Sequence, residues 1–71
     1  MAEFTFYYVN DHAQPNGDHE VHKKSCKWLA MAVSTTYLGY YPNCRDAVSK
    51  ARTVYSKANG CPYCCPECHK S

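Results

Sequence analysis

Four of the six cysteines in this 71-residue chain crowd into its final segment, Cys61-Pro62-Tyr63-Cys64-Cys65-Pro66-Glu67-Cys68-His69-Lys70-Ser71. Thiolates at such spacing bind soft metal ions. In Cys61-x-x-Cys64 the two intervening residues let the chain turn so that both sulfurs face one ion, and backbone N–H groups in the turn can support the thiolates. A second short pair, His22-x-x-x-Cys26, stands far upstream, and its spacing also suits one ion. A structural zinc takes four such ligands in a tetrahedron. Each pair forms a local chelate, and joining the two closes the chain between them. The expected site is therefore one structural Zn2+ held by His22, Cys26, Cys61 and Cys64.

The fourth position stays open at this stage. His19, Cys65, Cys68 and His69 compete with His22 for it. The main competitor is an all-thiolate set of Cys26, Cys61, Cys64 and Cys68. Neighbouring residues seldom both reach one ion, which counts against Cys65 beside Cys64. Cys44 reads as a free thiol at a helix start, where the helix N-terminus can lower a thiol's pKa.

Other chemistries fit less well. Cys65-Pro66-Glu67-Cys68-His69 matches the C-x-x-C-H haem-attachment spacing, with Met31 as an axial candidate. It stands at the end of the sequence with no following chain to wrap a porphyrin, so haem is not expected. Six cysteines would also allow three disulfides in fifteen pairings, the pattern of a secreted miniprotein. No carboxylate pair, phosphate-binding glycine loop or Ser-His-Asp order supports catalysis, so the expectation is not an enzyme; a reactive thiol at Cys65 or Cys68 is the residual route to one.

The elements that must position these ligands follow from pattern. Residues 4–9, Phe-Thr-Phe-Tyr-Tyr-Val, are β-branched or aromatic throughout and predict a strand, with Phe4, Phe6 and Tyr8 on one face and Thr5, Tyr7 and Val9 on the other. A polar stretch with Pro15 and Asn16-Gly17 supplies turn chemistry. His19–His22 then returns as a short strand beside the first. Cys26–Ala32 predicts a short turn or helical start whose Trp28, Leu29 and Met31 cover the core. Thr36–Tyr41 predicts another strand, with Gly39 marking a bulge and Pro42 ending it. A helix is predicted from about Cys44 to Ala58, with Asn43 as N-cap, Asp46 favourable at N3, and apolar residues at helical spacing from Ala47 to Ala58. Asn59-Gly60 reads as its left-handed C-terminal cap. The fold class is thus α+β: a small antiparallel sheet packed on one C-terminal helix and stapled by zinc. Residues 1–71 form one domain, with 65–71 as a tail.

Size and composition agree with a stapled domain. A chain this short buries only about 60% of its unfolded surface, so its core alone is marginal. The seven tyrosines, with Phe4, Phe6 and Trp28, are expected mostly in that core. The N-terminal residues show no signal-peptide pattern and no membrane span. A cytoplasmic, reduced, monomeric protein is expected, and reduced cysteines more often hold metal than form disulfides. The net charge of +2 is too small to imply nucleic acid by itself. Lys23, Lys24 and Lys27 cluster around Cys26, and the reading favoured here is a solvated loop. Were aromatics exposed beside them, the surface would suit single-stranded nucleic acid.

The segments Val21-His22-Lys23-Lys24-Ser25-Cys26-Lys27-Trp28-Leu29, Tyr40-Tyr41, Asp46-Ala47 and Gly60-Cys61-Pro62-Tyr63-Cys64 together resemble the Ada-like zinc-binding domain over roughly residues 19–64. The resemblance implies a small α+β module whose zinc sits between a C-x-x-x-C or H-x-x-x-C element and a C-x-x-C after a helix. In methyl-accepting members of that family a zinc-bound thiolate takes a methyl from a DNA phosphotriester. The position matching the first ligand here is His22, and an imidazole cannot act as that thiolate. The resemblance therefore implies the scaffold, in a protein- or nucleic-acid-binding role, and counts against methyl transfer.

Overall fold

A computed structural model of the chain describes residues 4–69. Strands β1 (Thr5–Asn10), β2 (His19–Lys23), β3 (Thr35–Tyr41) and β4 (Ala58–Gly60) form one sheet in the order β3-β1-β2-β4. Helix α1 (Lys27–Met31) follows β2, helix α2 (Cys44–Ala51) follows β3, and a 3-10 turn spans Pro66–Cys68. The architecture is α+β, and the sheet is mixed. β1 pairs antiparallel with both β2 and β3, whereas β4 lies parallel to β2, with His19 opposite Ala58 and Val21 opposite Gly60. Parallel pairing requires a crossover connection, and here β3 and α2 provide it.

Alternation along the strands assigns two faces. Tyr7, Val9, Val21 and Ala58 point to one side and meet Cys44, Ala47, Val48 and Ala51 of α2; with Leu38 and Cys65 they form the core. Leu38 reaches that core through a bulge. Tyr7 pairs with Gly39 and Tyr8 with Tyr37, which leaves Leu38 as the extra residue. Gly39 carries a φ of +138°, a conformation that L side chains rarely adopt.

Helix α2 starts where the sequence places it: Asn43 Oδ1 accepts a hydrogen bond from the Asp46 N–H at 2.9 Å. It stops at Ala51, a whole turn and more before the predicted Ala58. Thr53 and Val54 are β-branched and weak helix formers, and Thr53 Oγ1 donates to the Lys50 carbonyl. Tyr55 is then held outside the helix, its ring stacked on His19 at 3.8 Å and its hydroxyl donating to Asp11. The predicted Asn59-Gly60 cap is corrected accordingly: both residues belong to β4, and among the described residues positive φ is confined to Gly17 and Gly39. Gly60 answers a different need. A Cβ there would lie 2.7 Å from Cys68 Cβ and 2.9 Å from the Cys65 carbonyl oxygen, so only glycine lets the tail pack on the strand.

Two further expectations are corrected. No residue of α1 is buried, and Met31 is exposed, because this helix lies at the end of β2 and not over the α2 face. Of the ten aromatic residues only Tyr7 is buried. α2 covers one face of the sheet and leaves the rings on the other in contact with solvent. Among the described residues no helix is long and apolar enough to cross a membrane.

Candidate metal centre

Because β2 and β4 run parallel, their C-terminal ends reach the same end of the sheet. β2 delivers His22 there. The chain then turns, with the Cys26 N–H donating to the Lys23 carbonyl, and Cys26 becomes the residue that caps α1. β4 delivers Cys61, whose N–H continues the ladder to the Val21 carbonyl. A tight turn closed by the Cys65 N–H on the Cys61 carbonyl brings Cys64 back to the same point.

The ligand atoms of His22, Cys26, Cys61 and Cys64 all lie within 4.8 Å of one another, and the cluster could hold a metal ion. His22 Nδ1 is 3.6 Å from Cys26 Sγ and 4.0 Å from Cys64 Sγ. Zinc–sulfur bonds of about 2.3 Å set tetrahedral edges of roughly 3.8 Å, and the two His22–sulfur separations lie close to that edge. His22 and Cys61 are fully buried, at 1% and 0% exposure.

The electrostatics suit a cation. Burial lowers the His22 pKa and leaves the imidazole neutral, the form that ligates. Burial pushes the Cys61 thiol up to about 12, against the pull of the Cys64 and Tyr63 backbone N–H groups. It also raises Cys26, which the Trp28 and Leu29 backbone N–H groups partly offset. Cys64 is raised chiefly by its contact with Cys65, then by burial, while the Lys23 N–H, 3.3 Å from its sulfur, favours the thiolate. Burial and the neighbouring thiols thus hold Cys26, Cys61 and Cys64 in their protonated forms. A cation at their centre reverses that, because ligation deprotonates a thiol outright.

The other candidates lie elsewhere. Cys68 is bonded to Cys44 in a disulfide, so Cys44 is not the free thiol expected and Cys68 is not a spare ligand. Cys65 is buried in the core, its sulfur 3.8 Å from that of Cys64 but outside the cluster. His69 Nδ1 is 3.0 Å from the Gly60 carbonyl oxygen, and His19 stacks on Tyr55. Comparison with protein-family models, curated proteins and solved structures found no match to this chain.

The sequence reading missed Glu20. Its Oε1 lies 3.8 Å from His22 Nε2, the nitrogen turned away from the sulfurs. A carboxylate behind a ligating histidine fixes the tautomer and orientation of the ring. The signal was present: residues two apart on a strand share a face. The Cys44–Cys68 pairing left no comparable mark, because it depends on how the tail folds back over α2.

Proposed function

We propose that this chain is a small zinc-stabilised domain in which His22 Nδ1 and the sulfurs of Cys26, Cys61 and Cys64 hold one structural Zn2+, and that it acts as a binding module. One observation carries the reading: four ligand atoms from two distant chain segments converge within 4.8 Å, three on buried residues and the fourth on the half-buried Cys64. Three thiolates and an imidazole in tetrahedral reach are a donor set that zinc favours. Four protein ligands leave no open coordination position, which separates a structural zinc from a catalytic one. A zinc held in this way supplies no catalytic position, which favours a binding role. The likeness to Ada-like zinc-binding domains supports the same scaffold and, with histidine at the first ligand position, no methyl transfer.

Native mass spectrometry of the purified chain, before and after chelation, tests the reading. One zinc per chain is expected, lost on chelation and lost in Cys61→Ser and Cys64→Ser. A metal-free protein that takes up no zinc would overturn it.

A further inference from the structure

The sheet face opposite α2 is unusual for its composition. A solvated face of an antiparallel sheet ordinarily carries polar side chains. Here the outward positions of β1 and β3 hold Phe6, Tyr8, Tyr37 and Tyr40, with Phe4 just before β1, and Phe4, Phe6, Tyr37 and Tyr40 are exposed, the last two at 54%. The rings form a continuous row. Phe4 stacks on Tyr40 at 5.3 Å, Phe6 lies 4.8 Å from Tyr40, and Tyr8 lies 5.3 Å from Tyr37. Stability does not require them there, because the core lies on the other face.

Charge indicates the occupant. The exposed Lys24 places its ammonium 5.3 Å above the Phe6 ring, and Phe6, Tyr8, Tyr37 and Lys24 line a groove of about 280 Å³. Lys27, the first residue of α1, stands 5.3 Å over Trp28, which packs on Tyr63. Among the described residues, the outward positions of β1 and β3 carry no carboxylate, and Glu20 of β2 is half-buried beside His22. Flat apolar rings rimmed by cations match base faces joined by phosphates. A two-fold contact between copies would instead bring two lysine turns onto one interface, at a cost in repulsion.

We propose that this aromatic face binds single-stranded nucleic acid, with bases stacked on Tyr37, Tyr40 and Phe6 and a phosphate at Lys24. The proposal deepens the binding-module reading and rests on it.

Fluorescence anisotropy with end-labelled oligo(dT) and oligo(rU) of about ten nucleotides, against a duplex of equal length, tests it. Single strands should bind in preference to the duplex, with affinity falling as salt rises. Tyr37→Ala and Tyr40→Ala should each weaken binding roughly 5- to 150-fold, the equivalent of ~1–3 kcal/mol per stacked base. Lys24→Gln should lower the salt slope by about 0.7. The two oligonucleotides separate RNA from DNA as the ligand. Zinc content measured on the same samples shows that each variant is folded, and either tyrosine variant suffices if the other is not. A zinc-loaded protein that binds neither strand, binds the duplex equally, or is indifferent to both tyrosine substitutions overturns the proposal alone. So does sedimentation showing a dimer that Tyr37→Ala dissociates. A chain without metal overturns the reading beneath it.

Discussion

Removing the metal should unfold this protein. The ion would join His22 to Cys64 across 42 positions of sequence. Treated as a cross-link, closing a loop of that length contributes about 4 kcal/mol in the chain-entropy description. At ~0.05–0.15 kcal/mol per residue, a domain of this size has about 4–11 kcal/mol of net stability in total. Loop closure alone is thus a third or more of it. The full apparent free energy of a structural zinc, roughly 10–16 kcal/mol at neutral pH, is as large as the top of that range or larger. The residue-level picture agrees: α1 contributes no buried residue, and removing the ion leaves His22 and three thiols packed together in a dry site. The assay is urea unfolding followed by near-UV circular dichroism, with Trp28 against Tyr63 as a reporter beside the site. Reductant should be present so that the Cys44–Cys68 bond does not hold the tail in place. The zinc form should unfold in one cooperative transition and the chelated form should show none. A chelated, reduced protein with a cooperative transition and dispersed amide resonances would refute the reasoning.

Further outcomes are expected. Zinc binding at pH 7 should release about three protons, because in the metal-free, unfolded chain the thiols of Cys26, Cys61 and Cys64 keep their ordinary values of about 8.5 and are protonated, while most of the His22 imidazole is neutral. Affinity should therefore rise with pH through the neutral range; calorimetry in buffers of different ionisation enthalpy reads the proton count, and one proton or fewer would contradict a three-thiolate site. Glu20→Gln should weaken zinc binding by about tenfold, the lower end of the usual effect given the 3.8 Å separation, as measured by competition with a chromophoric chelator. The oxidised protein should be lighter than the reduced chain by the hydrogens of one disulfide, and with the metal retained its reduction should cost about 3.5 kcal/mol in urea, from a 24-residue separation. Asn43→Ala should cost ~1 kcal/mol through loss of the α2 cap, with zinc content unchanged.

Local chemistry made much of this fold legible. Strand β1 announces itself through six consecutive β-formers, and the Asn43 cap and Gly39 bulge follow from properties those residues carry anywhere. The four clustered ligands could be named because chelate spacing is local, with two residues between Cys61 and Cys64 and three between His22 and Cys26. What the sequence hid was set by distant contacts. The end of α2 is decided by Tyr55, whose partners His19 and Asp11 lie far upstream. The strand character of Ala58–Gly60 exists only because β2 offers an edge there. The fate of Cys44 and Cys68 depends on the tail folding over α2, for which Gly60 leaves room. The aromatics were misplaced for a related reason: strand periodicity separates two faces but cannot say which one a helix will cover.

The one-sided packing also accounts for a candidate metal site in a chain this small. α2 is only eight residues long and covers one face of the sheet, so packing stabilises one side of the domain. A second covering helix would have hidden Phe6, Tyr37 and Tyr40 in a larger core. A metal at the end of β2 and β4 offers comparable stabilisation while covering little surface. It would tie down the turn that carries Lys24 and leads into α1, and leave the aromatic face open. On this argument the staple and the exposed rings are two consequences of one arrangement. Burying the outer face should lessen the dependence on zinc, just as it should abolish binding there.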